Sequence, residues 1–185
     1  MATIRTALLG NLPTAVPQVS HWLHREWFQA LGFSPVLTEA LVHRRRSRDR
    51  APLALVALAA NEAVGMASIV EDTHPVYHVP GWCLSGVYVL PDRRGEGIGT
   101  RLCLRAQREA RRLGLASLGL YTADCQDFYA RLGWRHSADA CVQGASGSQA
   151  VSFMEFRLPP SVPCSPIHSR SCKCPPTRIN ARFSA

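Results

Sequence analysis

The chain has 185 residues, 46% hydrophobic and 18% charged, the balance of an ordinary globular protein of one domain with some length left over. Its longest apolar stretch, Leu53 to Ala60, falls far short of the ~20 residues that span a bilayer, and the opening Met-Ala-Thr-Ile-Arg lacks a secretory apolar run, so a cytoplasmic protein with no membrane helix is expected. The net charge of +8 invites a nucleic-acid partner, but Arg170, Lys173, Arg178 and Arg182 place half of it in residues 159–185, which hold no acid.

The first helical signal runs from Pro17 to Ala30, where Val19, Trp22, Leu23, Trp27 and Leu31 recur at helical spacing behind a proline suited to a first turn. A second helix is predicted after Ser34, an N-cap candidate followed by Pro35, with Leu37, Leu41 and Val42 as its apolar residues. It ends in His43, Arg44, Arg45, Arg46, Arg48 and Arg50, which read as a solvated helix end, with an acidic partner or substrate as the sharper alternative. Leu53–Ala60 and Ala63–Val70 are of strand length and flank Asn61-Glu62, the pattern of a hairpin. Leu84–Leu90 reads as a buried strand closed by Pro91. Gly97–Leu113 is an amphipathic helix, with Ile98, Leu102, Ala106, Ala110 and Leu113 on one face, Arg101, Arg105, Arg108 and Arg112 on the other, and Gly114 as its stop. Leu115–Tyr121 returns as a strand, Asp124–Leu132 is a short helix, and 134–142 with 150–158 form a closing hairpin. The middle strand, helix and strand imply one parallel crossover inside an otherwise antiparallel sheet, an α/β (α+β) architecture.

Seven cysteines is an odd number. Cys83, Cys103, Cys125 and Cys141 lie among apolar neighbours without metal-ligand spacing and read as buried free thiols. In the tail, Cys164, His168, Cys172 and Cys174 form C-x3-H-x3-C-x-C, a set that would suit tetrahedral zinc. Six prolines in the same stretch point to an extended or disordered appendage, and no metal is assigned.

The chemistry-bearing segment is Val87-Tyr-Val-Leu-Pro-Asp-Arg-Arg-Gly-Glu-Gly-Ile-Gly-Thr100. A strand enters a turn with glycines at 95, 97 and 99, and a helix opens behind it. Free N–H groups, the positive helix end and the absent Cβ atoms make a site for a phosphate or pyrophosphate, with Arg93 and Arg94 at its rim. A Walker loop requires Gly-Lys before Ser or Thr, and here Thr100 follows Gly99 directly. A Rossmann fingerprint requires G-x-G-x-x-G at the strand end, whereas this spacing is G-x-G-x-G with Pro91–Arg94 between.

Arg94-Gly-Glu-Gly97-Ile-Gly99 resembles the R/Q-x-x-G-x-G/A motif of the GNAT superfamily of N-acetyltransferases, and Asp127-Phe-Tyr-Ala-Arg-Leu-Gly-Trp134 resembles that superfamily's F-Y-x-x-x-G-F/W segment. The resemblance covers roughly residues 3–158. His21 to Trp27 and Val151 to Met154 resemble a subgroup of small bacterial members with a Trp-x-x-x-Glu-Trp first helix. What it implies is a domain over 1–158, a tail over 159–185, and acetyl-coenzyme A as acyl donor. The cofactor-binding residues would be Val87, Tyr88, Val89, Arg94, Gly95, Glu96, Gly97, Ile98, Gly99 and Thr100. Backbone groups of Val87 and Val89 would pair with the pantetheine amides on a strand that splays from its neighbour, and the N–H groups of Arg94 to Thr100 would hold the pyrophosphate. Tyr129 matches the position that gives a proton to the leaving thiolate, a direct ternary-complex transfer. A covalent acyl-cysteine route would use Cys125, which lacks a His partner at supporting spacing.

The general base is open among Glu26, Glu71, Asp72, His74, His78 and an ordered water, with Asp72 favoured because the subgroup carries an acid there. The expected acceptor is a primary amine of a small molecule. A protein or peptide N-acetyltransferase is the first alternative, and a catalytically silent acyl-coenzyme A binding module the second. Nucleic acid is not an expected partner, and a homodimer is left open.

Overall fold

The computed structural model describes residues 3–71, 81–144 and 147–158. Seven strands form one sheet in the order β1-β2-β3-β4-β5-β7-β6, with β1 Ile4–Leu8, β2 Leu53–Ala59, β3 Glu62–Glu71, β4 Trp82–Val89, β5 Ser117–Thr122, β6 Arg135–Gly144 and β7 Gly147–Arg157. Every neighbouring pair is antiparallel except β4 and β5, which run parallel and are joined by the crossover helix α3, Ile98–Arg112. The expected architecture is therefore present.

The two faces of the sheet follow the parity of its strands. On one, Leu55, Ala67, Ile69, Leu84, Leu118, Leu120 and Met154 pack against Ile98, Leu102, Ala106 and Ala110 of α3. On the other, Val56, Leu58, Met66 and Tyr88 pack under Val16, Val19, Trp22 and Leu23 of α1, Val16–Leu23, and Val42 of α2, Pro35–Arg44. β2, buried at all seven residues, lies between both layers and so reads as a continuous apolar run.

Five local features differ from the sequence reading. β1 is an additional edge strand, antiparallel to β2. The first helix ends at Leu23 and widens into a π-helical turn, His24–Phe28, whose extra residue takes later side chains off the buried face; Trp27 and Leu31 are exposed. α2 starts as expected, with Leu37 N–H donating to Ser34 Oγ at 3.2 Å, but it buries Thr38 and Val42, while Leu37 faces out. The β2–β3 turn centres on Ala60 and Asn61, both at positive φ, the geometry of a tight hairpin, and Glu62 already belongs to β3. Cys83 and Cys103 are buried, whereas Cys125, ahead of a short helix, and Cys141, on edge strand β6, are exposed.

One irregularity positions the site. Met66 and Ser68 of β3 are two residues apart, yet their register partners on β4, Tyr88 and Ser85, are three apart. The extra residue is a β-bulge holding Gly86, whose φ of +60° places it in the left-handed region. A Cβ there would sit 2.8 Å from Leu23 Cδ2. Gly86→Ala is expected to cost roughly 1–2 kcal/mol in backbone strain and about 1–3 kcal/mol in overpacking. At about 2–4 °C per kcal/mol for a chain of this size, thermal unfolding should show a fall of several degrees, and an unchanged Tm would remove the strained bulge from the account.

Among the described residues, no helix is long and apolar enough to cross a membrane.

Candidate active site

Beyond the bulge, β4 leaves β5. Among the described residues the only register pair between them is Cys83 with Gly119, so the strands part toward their carboxyl ends. Leu90 N–H bonds Val64 C=O on β3 at 3.0 Å. Since backbone groups alternate along a strand, the N–H and C=O of Val89 and Val87 turn to the opposite edge, the one β5 has left. Of the groups on that edge, Val89 C=O accepts from the Arg94 side chain, and the Val89 N–H and the backbone of Val87 face the gap that β5 leaves, the kind of edge an extended amide chain can join. Tyr88, between them, is brought elsewhere: its backbone faces β3, and its buried ring lies 5.3 Å from Trp22 and 6.5 Å from Trp27.

After Val89 the chain makes a 3-10 turn over Pro91–Arg93 and reaches α3 through Arg94 to Gly97. Gly95 and Gly97 hold φ values of +82° and +74°, and a Cβ on either would meet nothing within 4 Å. The glycines are therefore required by backbone conformation, and the space beside them is open. Gly97 caps α3 without a side-chain hydrogen bond, and the first helical bond runs from Arg101 N–H to Gly97 C=O at 3.1 Å. The N–H groups of Ile98, Gly99 and Thr100 thus point out of the end of a fifteen-residue helix, where its dipole is positive. Ile98 is buried and anchors this end.

The arginines at the rim behave differently from expectation. Arg93 is held by Glu96 through two bonds, Nε–Oε1 at 2.7 Å and Nη2–Oε2 at 2.8 Å. The shared hydrogen bonds raise the Arg93 pKa and lower that of Glu96. Arg94 donates from Nε to Val89 C=O at 3.2 Å, bracing the loop against the strand end. An anion at this turn would therefore be met first by its backbone N–H groups.

α4, Gln126–Ala130, follows β5 directly. Phe128 packs close to Gly99, where a Cβ would approach its ring to 3.5 Å, so α4 is set against the first turn of α3. Tyr129 follows, with its ring 5.0 Å from Phe128 and 6.1 Å from Trp134 in edge-on contacts. Burial raises its phenol pKa further above the ordinary value, and Cys103, Cys125 and Asp124 add to the shift. The Cys103 thiol is likewise pushed up to about 12 by burial. Burial and its neighbour Asp124 raise that of Cys125.

Of the candidate bases, Glu26 lies in the π-helical turn with its carboxylate held by Arg25 at 3.1 Å. Glu71 ends β3, exposed, opposite Trp82. Asp72, His74 and His78 lie outside the described residues, as does the Cys164, His168, Cys172, Cys174 set. The sequence reading missed the bulge, although a glycine inside a strand, Ser85-Gly86-Val87, is its usual signal.

The bare helix end, the glycine turn with open space beside it, and the edge of β4 that β5 leaves lie in succession along the chain from Val87 to Thr100. The solved aminoglycoside 6'-acetyltransferase type Ii is 25% identical over 85% of this chain and 98% of its own, with a TM-score of 0.61. The aminoglycoside 6'-N-acetyltransferase from Enterococcus faecium is 22% identical over 85% and 98%, with a TM-score of 0.61. The yncA protein from Salmonella typhimurium, solved with its cofactor acetyl-CoA, is 21% identical over 85% and 94%, with a TM-score of 0.65. No curated protein matches the chain in sequence. The profile of the acetyltransferase (GNAT) family matches residues 16–134, from the start of α1 to Trp134 just before β6, and the chain belongs to that family, whose members take the acetyl group from acetyl-coenzyme A.

Proposed function

We propose that the protein transfers the acetyl group of acetyl-CoA to a primary amine of a small molecule, by direct attack with donor and acceptor bound together. The observation that carries this reading is the parting of β4 from β5 beside the uncapped start of α3, with Tyr129 delivered by the helix that follows β5. Acetyl-CoA, when bound, supplies a thioester carbonyl open to an amine. The N–H groups of Gly95 to Thr100 would hold its pyrophosphate, and Val87 and Val89 its pantetheine amides. Tyr129 stays protonated at neutral pH, because burial raises its pKa, and donates its proton to the departing sulfur. Two similar solved structures are acetyltransferases named for aminoglycosides, small molecules, which supports a small-molecule acceptor. The domain is proposed to close at Leu158, whose N–H bonds Ala116 C=O at 2.9 Å after the last strand.

A covalent route through Cys125 is disfavoured by its raised pKa, since the thiolate is the nucleophile. Cys125→Ser is therefore expected to keep wild-type turnover, measured as coenzyme A release. Loss of acetyl transfer in that variant, with coenzyme A binding intact, would instead support an acyl-cysteine. The whole reading is tested by incubating the full chain with acetyl-CoA and a panel of small amines beside a panel of peptides. Small amines should be acetylated; transfer to peptides alone would move the acceptor to protein.

A further inference from the structure

The basic run after α2 reads in sequence as a solvated helix end, and His43, Arg44, Arg48 and Arg50 are indeed exposed. Arg45 is not: it is 8% exposed. Its carbonyl receives Ala54 N–H at 2.8 Å, which fixes its backbone against β2, and its guanidinium turns inward over the sheet. There Nη1 donates to Ser68 Oγ at 3.3 Å, and Cζ lies 5.8 Å from the Phe28 ring centre. Among the described residues the ion pairs are made by other cations, and no carboxylate of these residues pairs with Arg45. Burial lowers its pKa to about 10.

A buried guanidinium is ordinarily matched by a carboxylate, because losing water is costly for a charge. The Phe28 ring and the carboxyl end of α2 offset part of that cost. The remaining donors are not sealed away. The buried side-chain atoms without a partner among the described residues are Ser20 Oγ, Arg46 Nε and Trp134 Nε1; the Arg45 donors are not among them, and the residue keeps a small part of its surface open to solvent. An enclosed stem carrying reachable donors and no resident anion is arranged to receive an anion from solution.

Its position links it to the transfer site. Ser68 is the register partner of Ser85, the residue immediately before Gly86, and paired residues share a face. Arg45 therefore stands one strand away from the bulge where the β4 edge opens, on the α1–α2 face. A single guanidinium matches a monoanion; a phosphate dianion would leave a net buried negative charge. We infer that Arg45, positioned by the buried Ser68, receives a carboxylate of the acceptor, so that the acceptor is an amine bearing its own carboxylate group. This rests on the amine-acceptor reading above and narrows its substrate class.

The test uses the full chain, acetyl-CoA, and a ladder of ω-amino acids of increasing length, each paired with its carboxamide so that amine basicity changes little. Wild-type kcat/KM, read from coenzyme A release, is expected to favour the acid over its amide by at least about tenfold at the best length, the loss typical of one charge-assisted contact. Arg45→Met should erase that ratio through KM, Arg45→Lys should retain part of it, and Arg44→Met, at the exposed neighbour, should leave it unchanged. Coenzyme A binding by calorimetry reports folding; if Arg45→Met fails to bind, the Arg45→Lys ratio decides. Equal kcat/KM for acids and amides in the wild type, or a preference that survives Arg45→Met, overturns the assignment of Arg45 alone. Coenzyme A binding with no release for any acid or amide overturns the amine-acceptor reading itself, and the inference falls with it.

Discussion

Replacing Gly97 with valine is expected to abolish useful acetyl-CoA binding while leaving the sheet intact. Gly97 holds a φ of +74° at the cap of α3, a conformation that costs a residue with a Cβ roughly 1–2 kcal/mol. The larger effect is local. A branched side chain fills the open space beside the turn and tilts the N–H groups of Ile98 and Gly99 away from their common focus. Losing two hydrogen bonds to a charged group at about 1.5–3 kcal/mol each weakens binding by roughly a hundredfold or more. Calorimetric titration with coenzyme A checks it. Wild-type affinity in Gly97→Val would show that this turn does not hold the pyrophosphate. The side chains of Arg93 and Arg94 are committed to Glu96 and Val89, so Arg93→Ala should have a much smaller effect than Gly97→Val.

The second large effect is expected at Tyr129. Tyr129→Phe keeps the ring contacts with Phe128 and Trp134 and removes only the hydroxyl. If that hydroxyl protonates the leaving sulfur, kcat falls by about a hundredfold or more, with coenzyme A affinity unchanged. Equal loss of affinity and turnover would instead mark a packing role. The sign of the pH dependence follows from burial. The Tyr129 pKa is raised, so the acid form persists through the neutral range and beyond pH 10, the ordinary value for a phenol. An alkaline loss of kcat below pH 10 in the wild type therefore belongs to another group. The same shift gives a stability effect: the unfolded phenol ionises first, so the contribution is complete below about pH 10 and is lost as pH rises above it.

Helix α3 shows what is readable from local chemistry. Its buried residues recur every three or four positions, its cap is a glycine, and Gly114 at a φ of +71° stops it. Each feature depends only on neighbours in the chain, and the expected span of Gly97–Leu113 differs from the observed Ile98–Arg112 by one residue at either end. β1 shows the opposite case. Ile4–Leu8 has neither a clear alternation nor a long apolar run, and it becomes a strand because β2 offers an unpaired edge. The π-helical turn at His24–Phe28 is similarly invisible, since a single added residue shifts the face on which Trp27 lies without changing composition.

The candidate site divides along the same line. Gly95, Gly97 and Gly99 before an amphipathic helix are a local pattern, because a helix end and its N–H groups are made by one contiguous segment. Sequence alone therefore determined the glycine turn, the crossover helix behind it and the family to which they point. Tertiary structure decided which edge of β4 is free, because that depends on the register of β3 against β4 and on where β5 departs. It also decided the state of Arg45. In sequence that residue is one of six basic residues in a run, and only the packing of α2 over β3 separates it from its solvated neighbours and sets a charge against the sheet beside Ser68.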